Sequence, residues 1–286
     1  MIEIINSGWH TSVQDKGRWN SLHLGVPIGG AMDQESYQLA NALLNNPAEE
    51  AVIEMIQVGA HFKFHQNTVI CLTGAEMQPK LNGKKIKNYK AIVVKEGDLL
   101  ECTVAEKGKC SYLGVAGGIQ SEIVLGSKSQ AKGITHQDRL YKKTIVPINT
   151  TKAFKNRFAH IKHSVKKTSI PKLIAFIGPE YHFLSDENKS ALEKITFTIS
   201  KSNNRMAIMV EERISEVTHQ IWTVPVLPGT VQCTPEGSLI LLMRDAQITG
   251  GYPRVLQLSE DAINLLAQLT TKDQFQFCIS PINDTH

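Results

Sequence analysis

Two stretches, far apart in the chain, gather the residue types best suited to chemistry. Residues 229–254, GTVQCTPEGSLILLMRDAQITGGYPR, place Arg244, Asp245, Gln247, Thr249 and Tyr252 around Gly250-Gly251, directly after the apolar run LILLM, with Gln232 ahead of that run. Asp245 offers hydrogen bonding or proton transfer to an amide. The glutamines and Thr249 offer orienting contacts. The glycine pair allows positive φ and close backbone approach, and its N–H groups could meet developing negative charge. Near the other end, TSVQDKGR brings Gln14, Asp15 and Arg18 together. An Asp and an Arg three residues apart across a glycine turn can recognise an amide or carboxylate, the guanidinium as a fork and the carboxylate as acceptor or base. Arg205, just ahead of the apolar run AIMV, could clamp a substrate carboxylate or a phosphate, or snorkel to solvent. Each stretch also has a plainer reading: a polar hairpin turn at 229–254, an Asp–Arg turn clasp at 15–18.

Other candidates are thinner. Glu76 and Glu180 each close an apolar strand pattern, in GAE and GPE, where acid/base work and simple solvation are both open. His160 and His163 sit three apart without partnering acids, and none of the five cysteines forms a CxxC pair, so no metal site is expected. Cys233 has no neighbouring His to lower its pKa. A phosphate-loop GxxxxGK[ST], a dinucleotide GxGxxG, a GxSxG elbow and HExxH are all missing, and so is a methionine-lysine-methionine biotinylation site.

These residues need a scaffold, and strand signals dominate. IEII, HFKF, TVICLTG, AIVVKEGDLLECTV, SYLGVAGG, KLIAFIG, ITFTIS, MAIMVEE, LILLM, RVLQL and FQFCIS are short, rich in β-branched or aromatic residues, and separated by turn residues. That spacing fits a barrel or sandwich. NGKK at 82–85 and KEGD at 95–98 read as tight turns of a hairpin-rich sheet. Three helices are expected. Residues 33–45 start from an Asp33 cap with Leu39, Ala42 and Leu43 on one face, and residues 185–194 and 259–269 start from Ser185 and Ser259.

With 286 residues, 42% hydrophobic and 20% charged, the chain has room for two domains. Arg139 to Pro179 holds ten Lys and Arg and no acid, so the rest of a chain of net charge +4 is acidic. That lysine-rich segment ends in TSIP and is the natural junction, giving domains at 1–165 and 166–286, with interleaving allowed. It lacks the aromatic interleaving of a nucleic-acid surface and reads as a solvated face. No membrane-length apolar run and no signal peptide are read, so a cytoplasmic protein without membrane or nucleic-acid partners is expected. Two echoes suggest duplication: residues 11–33 with 229–253, and VICLTGAE (69–76) with LIAFIGPE (173–180). They occur in opposite order, which would bring the two motif-bearing ends to a domain interface.

At TSVQDKGR, HLGVPIGGAMDQES, LANALLNNPAEEAVIEM, TGAE, SYLGVAGGI, GPEYHF, NNRMAIMV and LPGTVQ…LILLMRDAQITGGYPR, the chain resembles the biotin-dependent carboxyltransferase-like family. This family is also called allophanate hydrolase subunit 2 or the C subunit of 5-oxoprolinase, and the likeness runs over residues 7–257. Departures are a short, lysine-rich stretch after VAGGI, Arg244 beside DAQ, and Ala207 where glycine is favoured.

The resemblance implies a mainly β fold of two tandem cyclophilin-like β-barrel domains with a few short helices. It implies one component of an ATP-dependent 5-oxoprolinase that opens 5-oxo-L-proline to L-glutamate and is inactive without its partners. Those partners would be a B-like, cyclophilin-fold protein and a third, lactam-hydrolase subunit, with ATP handled by the complex. On that reading Asp15 and Asp245 are catalytic, while Gln14, Arg18, Arg205, Gln232, Gln247, Thr249, Gly250, Gly251 and Tyr252 bind substrate. Two alternatives follow from the same resemblance: carboxyl transfer from carboxybiotin to a urea-like amide, and non-catalytic antagonism of a kinase inhibitor.

Overall fold

Residues 1–149 and 170–280 are described by a computed structural model. They fall into two compact units, Met1–Trp19 with Gly29–Val165, and Asn20–Ile28 with Lys166–His286. The short segment Asn20–Ile28 thus interrupts the first unit in sequence. Much of the lysine-rich stretch, with His160 and His163, lies outside the described residues.

The first unit is built from two antiparallel sheets. One runs, strand by strand, Ile145–Val146, Ile2–Asn6, His61–Phe64, Leu99–Glu101, Lys80–Leu81, Lys84–Lys85. The other runs His10–Gln14, Val52–Ile56, Lys107–Val115, Thr68–Glu76, Ile92–Val94. Period-two alternation turns Ile2, Ile4, Phe62 and Phe64 of the first sheet and Val13, Ile53, Met55, Ile70, Leu72 and Leu113 of the second into one buried core. The opposite face of the five-stranded sheet carries helix α1 (Gln34–Leu44), whose Leu43 and Leu44 pack with Val69, Cys71 and Ala116. Gly114 permits this approach, since a Cβ there would sit 3.0 Å from Leu44 Cδ1 and 3.2 Å from Ala40 Cβ.

The second unit closes into a seven-stranded barrel in the order Lys172–Ile177, Arg254–Leu258, Thr230–Cys233, Ser238–Leu242, Ala207–Arg213, Phe197–Asn203, Gln274–Ser280. The ring is completed by a parallel pairing of the last strand with the first, Leu173 opposite Phe277. Phe197, Phe275 and Phe277 fill the interior with ring centroids 5.2–5.8 Å apart. A separate two-strand ribbon pairs Val224–Pro225 with Thr249–Gly250.

The mainly β fold and all three helices agree with the sequence expectation. Asp33 accepts from Ser36 N at 3.0 Å, Ser185 caps α2 (Asp186–Lys194), and Ser259 caps α3 (Glu260–Ala267). The buried face of α1 differs: Tyr37, Ala40, Asn41, Leu43 and Leu44 point inward, while Ala42 is exposed. KEGD forms its turn, yet its flanking strands do not pair with each other. Ile92–Val94 joins Thr68–Ile70 in one sheet and Leu99–Glu101 joins His61–Lys63 in the other. The turn therefore hands the chain between layers. No described helix is long and apolar enough to cross a membrane.

Candidate functional site

In the first unit, the QDKGR motif sits where strand His10–Gln14 ends. Asp15 is buried, and both its carboxylate oxygens are occupied. Oδ1 accepts from Gly17 N at 2.8 Å, Ser127 Oγ at 2.7 Å and Ser129 Oγ at 2.6 Å, and Oδ2 accepts from Lys128 N at 2.6 Å. Gln14 Nε2 donates to Ser12 Oγ at 2.9 Å and Gln130 O at 3.1 Å. Arg18 is 1% exposed; its Nε donates to Val124 O at 3.2 Å and its Nη2 to Ser129 O. All three side chains converge on segment 124–130. The glycine of the motif's second half is needed for close approach. A Cβ on Gly30, at φ 89°, would lie 2.8 Å from Gly17 N and 2.9 Å from Asp15 O.

The second unit gathers a different set at one end of its barrel. Gln232 is 1% exposed; its Nε2 donates to Tyr252 O at 3.2 Å and its Oε1 stands 3.5 Å from Gln247 Nε2. Gln232 lies opposite Arg254 in the sheet. Arg254 in turn grips Glu180: Nε to Oε2 at 2.9 Å, Nη2 to Oε1 at 2.8 Å, and backbone N to Oε2 at 3.0 Å. Its Nη1 donates to Pro225 O at 3.0 Å. This fork holds the Glu180 carboxyl below its ordinary range and raises Arg254. Gln247, Thr249 and Tyr252 are exposed beside the set.

Neighbouring pairs brace the same turn. Arg205 and Asp245 form a second fork, Nε to Oδ2 at 2.7 Å and Nη2 to Oδ1 at 2.9 Å, with Asp245 N donating to Arg205 O at 2.9 Å. Arg244 is 2% exposed and reaches α3 through Glu260 Oε2 at 3.2 Å and Asn264 Oδ1 at 3.2 Å.

The glycine pair behaves differently from expectation. Gly250 and Gly251 are not among the glycines with positive φ. What Gly250 supplies is room, because a Cβ there would lie 2.4 Å from Gln232 Nε2. Gly251 faces nothing nearer than Thr223 Oγ1 at 4.0 Å. Sequence reasoning weighed Glu180 as a solvated strand end and did not single out Arg254. The signal was there in GPE and GGYPR, but the pairing spans 74 residues. Glu76, the counterpart in the first unit, is exposed. Cys233 is buried, and burial pushes its thiol up to about 11, which leaves almost no thiolate at neutral pH. Among the described residues no three His, Cys, Asp or Glu are grouped to hold a metal ion.

A family model described as "Carboxyltransferase domain, subdomain A and B" matches residues 24–279. The chain belongs to this carboxyltransferase domain family. The C subunit of 5-oxoprolinase from Escherichia coli K12 is 30% identical over 289 residues, covering 97% of this chain and 90% of that relative. The urea amidolyase of Saccharomyces cerevisiae is 40% identical over 129 residues, 45% of this chain but 7% of that much longer one. The solved urea carboxylase of Kluyveromyces lactis matches 96% of this chain with a TM-score of 0.88 at 23% identity, a likeness of fold. This carboxyltransferase-domain chain spans 27% of that structure.

Proposed function

We propose that this carboxyltransferase-domain protein is one subunit of a cytoplasmic, ATP-dependent 5-oxoprolinase that opens 5-oxo-L-proline to L-glutamate. The observation that carries the reading is the near end-to-end match to the C subunit of a 5-oxoprolinase, over 97% of the chain and 90% of the relative. Opening a lactam needs the resonance of its amide to be broken, which phosphorylation of the lactam oxygen by ATP would supply. No residue set of this chain reads as a phosphate loop, so the nucleotide falls to the complex: a B-like, cyclophilin-fold partner and a third, lactam-hydrolase subunit. The two compact units are proposed to be its two domains, and activity is proposed to require the partners.

For substrate contact the reading favours the barrel-mouth set. Gln247, which is exposed, offers an amide donor and acceptor that match a lactam N–H and C=O, with buried Gln232 behind it as its orienting partner and Thr249 and Tyr252 exposed beside them. Asp15 and Asp245 were expected to move protons. The Asp15 carboxylate accepts three bonds from the 127–129 loop and one from Gly17 N, and that of Asp245 accepts a fork from Arg205, a geometry that supports positioning. Arg18 and Arg205 take the same supporting role.

A second reading is carboxyl transfer from carboxybiotin to a urea-like amide, with biotin carried by another protein. The segment 40% identical to urea amidolyase favours it. Co-expression of the chain with its genomic neighbours separates the two. ATP hydrolysis that depends on 5-oxoproline and releases glutamate supports the first. Dependence on bicarbonate, a biotinylated partner and urea supports the second and rejects the first.

A further inference from the structure

A cleft of about 470 Å³ opens in the first unit, whereas the residues proposed to contact the lactam belong to the second. That is ample for a molecule of amino-acid size. Its lining includes three buried apolar side chains: Val13 near the end of its strand, Leu140 and Val146. Glu122, Gln130 and His136 add polar groups to the same lining.

Gln130 is the informative residue. It is 8% exposed, yet only half of its side-chain amide is engaged: Oε1 accepts from Val13 N at 2.9 Å, and its backbone N donates to Val13 O at 2.8 Å. Those two bonds fix the amide's orientation, because the oxygen must face the strand. Nε2 is then left as a donor with no acceptor among the described residues, on a residue that lines the cleft. This donor is not sealed from solvent, so water serves it in the free protein, and a ligand carbonyl or carboxylate would displace that water and take its place. Glu122, in the same lining, is fixed by His136 N, which donates to Oε1 at 2.8 Å. Its second oxygen is available to accept from a ligand cation.

A donor, a carboxylate and apolar walls in one cleft describe a ligand that carries an acceptor, an ammonium and a short apolar stem. We propose that this cleft binds a free L-α-amino acid, its carboxylate on Gln130 and its ammonium on Glu122, with the side chain on Val13, Leu140 and Val146. The site is independent of the lactam reading and is tested without turnover.

The test is calorimetric titration of the purified full chain with each of the twenty L-α-amino acids, and of the best binder's deaminated and carboxyl-amidated analogues. At least one amino acid should bind with a dissociation constant in the millimolar range or tighter. Glu122→Gln, which preserves shape, should weaken it about tenfold or more, and the deaminated acid should show a like loss. Gln130→Glu, which keeps the acceptor for Val13 N, should repel the carboxylate and abolish binding. Failure of all twenty to bind at about 10-fold above millimolar concentration would overturn the proposal, as would binding unchanged in Glu122→Gln. Equal binding of the amidated analogue would also overturn it, since that would point to a peptide terminus.

Discussion

Glu180 and Arg254, 74 residues apart, form a three-bond fork that ties the Gly178-Pro179-Glu180 turn to the start of strand Arg254–Leu258. Gly178 makes the contact possible, since a Cβ there would lie 2.2 Å from Arg254 O. Because Gln232 lies opposite Arg254, this fork sets the floor on which the exposed polar residues of the barrel end stand.

Glu180→Gln should destabilise the protein by about 2 kcal/mol at pH 7, the worth of charge-assisted bonds at a mostly buried carboxylate. The folded pKa of Glu180 is depressed by Arg254. Its contribution is therefore fully present above the unfolded value of about 4.3 and is lost as pH falls through the folded pKa. Urea denaturation of both proteins from pH 7 to pH 3 should show the gap closing with acidity. A gap that widens contradicts the sign.

Gly250→Ala and Gly251→Ala should differ sharply. The first drives Gln232 Nε2 away from Tyr252 O at a cost of about 1 kcal/mol and disturbs substrate contact. The second meets open space and should stay within about 0.5 kcal/mol of the parent. Thermal melts of the two variants compare them directly, and equal effects would mean that the glycines act through backbone conformation instead.

Asp15→Ala should cost about 3 kcal/mol, because Lys128 N and the Ser127 and Ser129 hydroxyls lose a buried charged acceptor. Amide hydrogen exchange should rise at 127–129 first. If exchange there is unchanged while activity of the assembled complex vanishes, Asp15 acts in proton transfer and not in positioning.

Alkylation with iodoacetamide at pH 8 should modify Cys278 and spare the other four cysteines in the native protein. Cys278 is exposed, and the rest are buried. Burial lifts the thiols of Cys71 and Cys102 to about 12 and that of Cys233 to about 11. Mass spectrometry reads the order of modification, and early labelling of Cys233 would revive it as a nucleophile.

The helices were legible because their signals are local: a capping side chain and the first-turn amide it accepts from lie three residues apart. Strand-rich character was legible from β-branched runs, but pairing was not. KEGD reads as a hairpin turn from its own residues, while its arms are claimed by Thr68–Ile70 and His61–Lys63 from elsewhere. Strand Val52–Ile56 escaped notice because Glu54 interrupts its apolar run. The carboxylate is fully buried and accepts from Met32 N at 2.7 Å, a partner no local pattern predicts. Within each unit the motif residues are held by partners that their own spacing did not indicate. Which of them brace the fold and which face solvent depended on distant partners, such as Ser127 for Asp15 and Glu180 for Arg254.

The most direct measurement is 5-oxoproline-dependent ATP hydrolysis by the partner proteins with this chain omitted and then added back. Membership of the complex predicts no glutamate release without the chain, restoration on its addition, and loss of most of that activity with Gln232→Leu. Full activity of the partners in its absence, or no restoration by the folded chain, would contradict the account.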